Sequence, residues 1–479
     1  MRILHIGHRA EPIGGAELWM RALIAGQRRR GHQTLLVAGV LPGAPAELDV
    51  FAIERPTFDP ARQFEDRAFT DAVTAAAAAL RPDVVHLHQS AHLPVALYGV
   101  LRALGRPLVQ GLYDHALLCT NGWLVRGDGT ACAGGPGAQC LAAGCERHQN
   151  YDAVQIAAAA WRLREARVAL DATVVPTDRM AALAMGHGLP RVRVLPYFTV
   201  EPLRTRARHS GANGAAERIL CMARLEPEKG VEVLLEAFAT LANARPMAVL
   251  EIVGAGSRRA ALEARIAKLG LARRVVLTGA VPREELGAVL ERADVVAVPS
   301  IWTETMPLAI LDAFAADVPV VASDVGGIGF ALEEGTSGLL VPSGDAAALA
   351  RALGRVLAEP KLAQGLRAGG RASLARFDAD AQFAGLEALY AELSSDPATQ
   401  RTRASSAPFE PAQEWALTRA MAESHAAERA KQLQLLADFE CEREWIRATV
   451  GYVQRDPLTR AINRLRGGPD LAQFLDDLR

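Results

Sequence analysis

Two runs of alternating strand and helix signals, separated by a stretch with neither, constrain this chain more than any other feature. Short apolar segments open the first run: Arg2–Gly7, Gln33–Ala38, Asp83–His88 and Pro107–Leu112. Helical stretches lie between them, such as Ala16–Arg30, which Gly31 ends. Apolar strands spaced by helices of this kind belong in a parallel sheet covered on both faces. The pattern stops over Leu203–Ala216, which is rich in Arg, Gly and Ala and has no periodicity. It restarts at Arg218–Ala223 and continues through Ala248–Val253, Val275–Thr278, Val295–Pro299 and Val318–Ala322. Two doubly wound runs predict two Rossmann-like α/β domains. Ligands in such sheets bind at the carboxyl ends of the strands, so the expected site is a cleft between the two.

Length agrees with more than one core: 479 residues exceed what a single domain holds. Aromatics are 5% of the residues, so Ala, Leu and Val must build the cores. Lys+Arg 53 against Asp+Glu 54 leaves a formal net charge of −1, which excludes a general nucleic-acid binder. The longest apolar stretches, Ala72–Leu80 and Leu93–Leu101, fall far below the ~20 residues a bilayer needs. Residues 1–8 read as a buried strand and lack the apolar core of a secretion signal. Six Cys form no disulfide framework, so a reducing cytoplasm is expected.

Beyond the second run, Ser394–Pro411 collects Ser, Pro, Arg and Thr and reads as a linker. Ala412–Gln454 is rich in Ala, Glu, Arg and Leu and reads as a long helix. It either mediates self-association or packs on its own chain. The expected division is 1–205, 206–395, a linker over 396–411 and a helical tail over 412–479.

Three elements of the second run carry chemistry. Arg224 and Lys229 follow a strand and precede a helix near Val231. Two cations beside helix-terminal amides suit a diphosphate. Gly254 and Gly256 follow the next strand, where glycine lets a phosphate or sugar approach the backbone. Neither this turn nor the Gly7…Gly14-Gly15 segment completes a dinucleotide fingerprint, which disfavours a dehydrogenase. Glu304 lies in the loop after Pro299-Ser300, and Asp312 follows eight residues later in a helix. That spacing brings both carboxylates near one helix face, where they can hold several hydroxyls. For Asp312 the other reading is a helix-start acid complementing the macrodipole.

In order and spacing, this set resembles the retaining glycosyltransferases of family 4, which have the GT-B fold. Gly14-Gly15-Ala16-Glu17, Arg224…Lys229-Gly230, Ile252–Gly256, Pro299-Ser300…Glu304…Asp312-Ala313, Ser323–Gly327 and Gly338–Pro342 carry the likeness, over roughly residues 1–395. The resemblance implies transfer of a sugar from a nucleotide-diphosphate sugar with retained anomeric configuration. Arg224 and Lys229 would grip the diphosphate, and Glu304 would touch the donor sugar. Thr305 and Met306 would present amides to it, and Asp312 would bind the ribose. Gly14 and Gly15 would admit phosphate and acceptor, and Gly254 and Gly256 would line the donor. No catalytic metal is implied. The acceptor would be a glycan, a lipid-linked saccharide or a small molecule, in bacterial surface glycan or glycolipid synthesis. The last helix, Ala381–Leu393, would cross back to the first domain.

Two departures matter. Asp312 stands where the family has Glu, and Tyr113 stands where it has His, within Tyr113-Asp114-His115. These three are the candidates for the acceptor or sugar side. The departures support an alternative, a catalytically impaired protein that binds nucleotide sugars. Cys119, Cys132, Cys140 and Cys145, with His148, are either a structural zinc site or reduced thiols. Arg28-Arg29-Arg30 either leans on anionic lipid at the inner face of a membrane or complements a helix C-terminus.

Overall fold

The computed structural model describes residues 1–11, 14–40, 50–54, 62–89, 92–126, 130–137, 139–145, 153–200 and 217–396. The stretch 203–216, the linker from 397 onward, the tail 412–479 and His148 lie outside the described residues. Within 1–396 the chain forms two parallel sheets flanked by helices, the GT-B arrangement.

The first sheet contains β1 (Arg2–Gly7), β2 (Gln33–Val40), β3 (Val50–Glu54), β4 (Val84–His88), β5 (Leu108–Gly111), β6 (Ala172–Val175) and β7 (Val192–Val194). The second contains β8 (Glu217–Met222), β9 (Ala248–Val253), β10 (Val275–Gly279), β11 (Val295–Val298), β12 (Val320–Ser323) and β13 (Gly338–Val341). Their orders are β3-β2-β1-β4-β5-β6-β7 and β10-β9-β8-β11-β12-β13. Both are the doubly wound order, which reverses direction between its first and fourth strands. In the first sheet that point is β1/β4, and in the second it is β8/β11.

Burial explains why these segments are strands. Every residue of β4, β5, β6, β11 and β12 is buried. Both faces are therefore covered, which is why the sequence shows continuous apolar runs there. β3 and β7 are not covered in this way. Three of the five residues of β3 are exposed, and β7 has only three residues.

Helix Ala379–Ser395 closes the described chain. Asp378 caps it by accepting the Ala381 N–H at 2.9 Å. Its inner face lies on the first half: the Tyr390 hydroxyl meets His86 Nδ1 at 2.5 Å. Arg30 bonds Glu387 at 2.7 Å and Asp380 at 3.0 Å on the same helix. Arg28 donates to Thr34. Of the Arg28-Arg29-Arg30 run, read as leaning on lipid or complementing a helix C-terminus, Arg28 and Arg30 are thus bonded within the protein. Among the described residues no helix is long and apolar enough to cross a membrane.

Candidate active site

A cavity of about 510 Å³ opens where the carboxyl ends of β1, β4, β5, β8 and β11 face one another. That size suits a small organic ligand. It lies at the reversal points of both sheets, so each half contributes the loops that diverge there.

The second half supplies charge. Residues 227–229 make one 3₁₀ turn after β8, which ends at Gly230 with φ 65°. Gly230 then opens helix Val231–Ala244. A side chain at 230 would collide with the Pro299 carbonyl oxygen, so glycine lets the turn after β8 rest on the loop after β11. This contact joins residues 75 positions apart: Lys229 Nζ lies 2.7 Å from Glu304 Oε1. Ser300 Oγ donates to the same oxygen at 2.6 Å. Lys229 also stands 4.8 Å over the Trp302 ring. Burial pushes the Glu304 carboxyl up, but the Lys229 charge and the hydrogen bonds from Lys229 and Ser300 outweigh it. The carboxyl is held below its ordinary range and ionised. Arg224 reaches the cavity mouth half-exposed and is steadied by Glu228 at 2.8 Å.

Gly14, Gly15, Thr305 and Met306 line the cavity as expected positions. Helix Gly15–Arg29 points its N-terminus at it, and Glu17 accepts the Gly14 N–H at 3.0 Å. Such a terminus favours negative charge.

Gly254 and Gly256 do not line the cavity. A side chain at either would strike the main-chain oxygen of Ala223 or Leu225. They pack one layer behind, backing the strand end that carries Arg224. Asp312 is not at the cavity either. Arg283 grips both of its oxygens, each at 2.6 Å, and also donates to the Val200 carbonyl at 2.8 Å. The expected ribose contact is therefore corrected on geometry: the carboxylate is buried and already doubly bonded. The eight-residue spacing does not bring Asp312 to the cavity that Glu304 lines, and Arg283 comes from the loop after β10, which the spacing does not reveal.

The first half brings both buried and partly buried groups to the wall. Tyr113 sits at the cavity wall with its hydroxyl turned into the core, 2.6 Å from His88 Nδ1. His88 Nε2 meets His5 Nδ1 at 2.8 Å. His5, His86 and His88 are wholly buried on one face, because β1 and β4 pair with His5 opposite His86. Burial is the main cause that depresses all three; His86 falls to about 3. Asp114 reaches the cavity, accepting from Ala116 N–H at 2.9 Å and from Gln89 at 3.2 Å. Burial raises its carboxyl to about 6. His115 turns away from the cavity and bonds the Thr303 carbonyl oxygen at 2.8 Å.

Of the two readings of the four Cys, a zinc site or reduced thiols, the described residues give the zinc reading no cluster. Among the described residues the group near enough to surround an ion is His5, His86 and His88, not the cysteines. Cys119 faces Asn121, and Gly134 N–H points at Cys132. Cys140 and Cys145 pack on Ile156. All four are outside any disulfide.

Sequence reasoning missed Arg9 and Trp123, which also line the cavity. Arg9 follows β1 directly, and a cation just past a strand at the reversal point is the signal that could have found it.

Two family models match: "Glycosyltransferase Family 4" over residues 13–198 and "Glycosyl transferases group 1" over 204–373. Among curated relatives, the GDP-mannose-dependent alpha-(1-6)-phosphatidylinositol monomannoside mannosyltransferase of Mycolicibacterium smegmatis is 33% identical over 194 residues. That is 39% of this chain and 51% of the relative. Sucrose-phosphate synthase from Thermosynechococcus elongatus aligns with TM-score 0.62 at 21% identity, over 82% of this chain and 99% of that one. The Anabaena protein HepE in complex with UDP-glucose aligns with TM-score 0.60 at 19% identity, over 82% and 100%. The chain spans between a quarter and about three fifths of the length of the curated relatives it matches.

Proposed function

We propose that this chain, which is a family 4-like glycosyltransferase, moves a sugar from a nucleotide-diphosphate sugar to a hydroxyl of an acceptor, with retention of anomeric configuration and without a catalytic metal. The observation that carries the reading is the Lys229–Glu304 pair at the facing ends of β8 and β11, with Arg224 at the same cavity mouth. In that reading the donor's diphosphate lies between Arg224, Lys229 and the amides that open helix Gly15–Arg29. Glu304, ionised and fixed, accepts from hydroxyls of the donor sugar.

The chemistry follows from the charges. The bond between the anomeric carbon and the phosphate oxygen breaks, and both electrons stay on the diphosphate. Fixed cations stabilise that developing charge without reorganising. The acceptor oxygen bonds the anomeric carbon from the face the phosphate leaves, and its proton passes to a departing phosphate oxygen. The products are the glycosylated acceptor and the nucleoside diphosphate.

A relative named for GDP-mannose and a neighbour holding UDP-glucose support a nucleotide-sugar donor. We place the acceptor among glycans and lipid-linked saccharides of a bacterial surface, made on the cytoplasmic side. The other reading, binding without transfer, rests on Tyr113, whose hydroxyl is turned from the cavity toward His88.

Purified full-length protein incubated with UDP-, GDP- and ADP-sugars separates the two. Release of nucleoside diphosphate with one donor, and a product keeping that donor's anomeric configuration by NMR, supports transfer. Tight binding of a donor without its consumption supports the second reading.

A further inference from the structure

The loop that carries Glu304 is held from both sides. Its own half grips it closely: the Gly327 N–H donates to the Glu304 carbonyl oxygen at 2.6 Å. Side chains at Gly326 or Gly327 would collide with the main-chain oxygens of Glu304 or Thr305. The opposite half supplies two hydrogen bonds that flank Glu304. His115 Nε2 meets the Thr303 carbonyl oxygen at 2.8 Å, and Thr305 Oγ1 donates to the Tyr113 carbonyl oxygen at 3.0 Å.

A carbonyl oxygen only accepts, so His115 Nε2 must carry the proton. Burial pushes this imidazole down to about 4, and hence it is neutral at ordinary pH. The Leu118 and Cys119 N–H groups both donate to the His115 carbonyl, which holds the backbone beneath the ring. Its ring also meets Trp302 edge-on, with centroids 6.0 Å apart. One neutral donor on a rigid base thus fixes the peptide just before Glu304.

We infer that His115 is a positioning residue for Glu304: the first half completes the donor loop of the second, so the sugar-binding carboxylate is fully ordered only when the two halves meet. The inference rests on the glycosyltransferase reading above. Without the His115 bond the loop keeps its charge pair to Lys229 and the Thr305–Tyr113 bond, but loses the tie on the peptide just before Glu304. Donor capture then persists while the geometry of transfer loosens, and misplacement of a reacting group by ~1 Å can cost about 100-fold in rate.

The experiment compares wild type, His115→Ala and His115→Gln in the full chain. Gln places an amide N–H near the position of Nε2 and cannot titrate. The expected result for His115→Ala is a kcat lower by about 10- to 100-fold with donor KM changed by no more than about threefold. His115→Gln recovers most of that loss, and the pH profile keeps its shape in both variants. Amide hydrogen exchange read by mass spectrometry over 300–306 should rise in Ala and return toward wild type in Gln. Unchanged kcat and unchanged exchange in His115→Ala overturn the inference, as does a Gln variant no better than Ala in a folded protein. If wild type consumes no donor, the glycosyltransferase reading falls instead. The exchange measurement still decides whether His115 holds the loop.

Discussion

The two halves share one strand order and solve the same problem differently. The second half meets the cavity with formal charge: Arg224, Lys229 and Glu304 project from the ends of β8 and β11. The first half meets it with groups held neutral by burial, Tyr113 backed by His88 and His5, and adds Arg9, Glu17 and Asp114 at the wall. A phosphate-bearing donor needs fixed charge that is already paid for by local partners. A wall that docks against that loop needs rigid, uncharged donors and acceptors. The difference predicts that changes in the second half damage chemistry, whereas changes in the first damage stability and alignment.

The largest expected effect tests the charged half. Lys229→Ala removes the partner of both Glu304 and the proposed leaving group, and kcat/KM should fall by about 2–4 kcal/mol, or ~30- to 1000-fold. Circular dichroism should show a folded protein, because Lys229 sits on a turn at the cavity. Equal loss of folded protein and activity would break the comparison.

Asp312→Ala sharpens it from inside the same half. Asp312 follows Glu304 by eight residues, yet it is sequestered by Arg283. Its loss strands a guanidinium that is about one-fifth exposed. The cost should be about 2–3 kcal/mol of stability, less than for a fully buried pair. Denaturant unfolding should record that loss while the donor KM holds. An unchanged midpoint with a raised donor KM would return Asp312 to the ribose.

The neutral half should answer to acid. His5, His86, His88 and His115 are all depressed by burial, His86 to about 3 and His115 to about 4. The unfolded chain binds those protons near pH 6.5, and the folded one does not. Their contribution is therefore fully present above about pH 6.5 and is lost as pH falls toward 4. Each histidine adds a slope of up to about 1.4 kcal/mol per pH unit in that window. Asp114 works in the opposite sense: its carboxyl, raised to about 6, favours the folded state at low pH and loses that as pH rises through 6. The four depressed histidines outnumber the carboxyls that burial raises, Asp114 and Glu165 in this half and Asp312 in the other, so the melting temperature should fall between pH 6.5 and 4.5. A flat profile would show that the first half tolerates charge.

The smallest effect is expected from metal removal. With cations already supplied by Arg224 and Lys229, exhaustive EDTA should leave the transfer rate nearly unchanged. A strict Mg²⁺ or Mn²⁺ requirement would overturn the charge assignment of the second half.

Legibility in the sequence followed locality. The strand-end position of Lys229 and the loop position of Glu304 could be read because each is set by the few residues around it. Asp312 was read as a partner of Glu304 at one face, but it meets Arg283, which arrives from another strand connection. The histidines of β4 alternate in a way that shows one shared face. Their meeting with His5 depends on β1 and β4 being neighbours, which the sequence does not state. The four cysteines are close in the chain, yet among the described residues they form no group near enough to surround an ion.

By itself the sequence determined two α/β halves, the strand ends that carry the charged groups, and the likeness to a glycosyltransferase family. These rest on periodicity and on short spacings, which the backbone translates directly into position. Only the tertiary structure decided that Glu304 is met by Lys229 from its own half and by the His115–Thr303 bond beside it from the other. It alone turned Asp312 toward Arg283 and the Tyr113 hydroxyl toward His88. Those outcomes depend on which strands lie side by side and how closely two loops approach. Both are fixed by packing between segments 25 to 188 residues apart, a range over which local pattern carries no information.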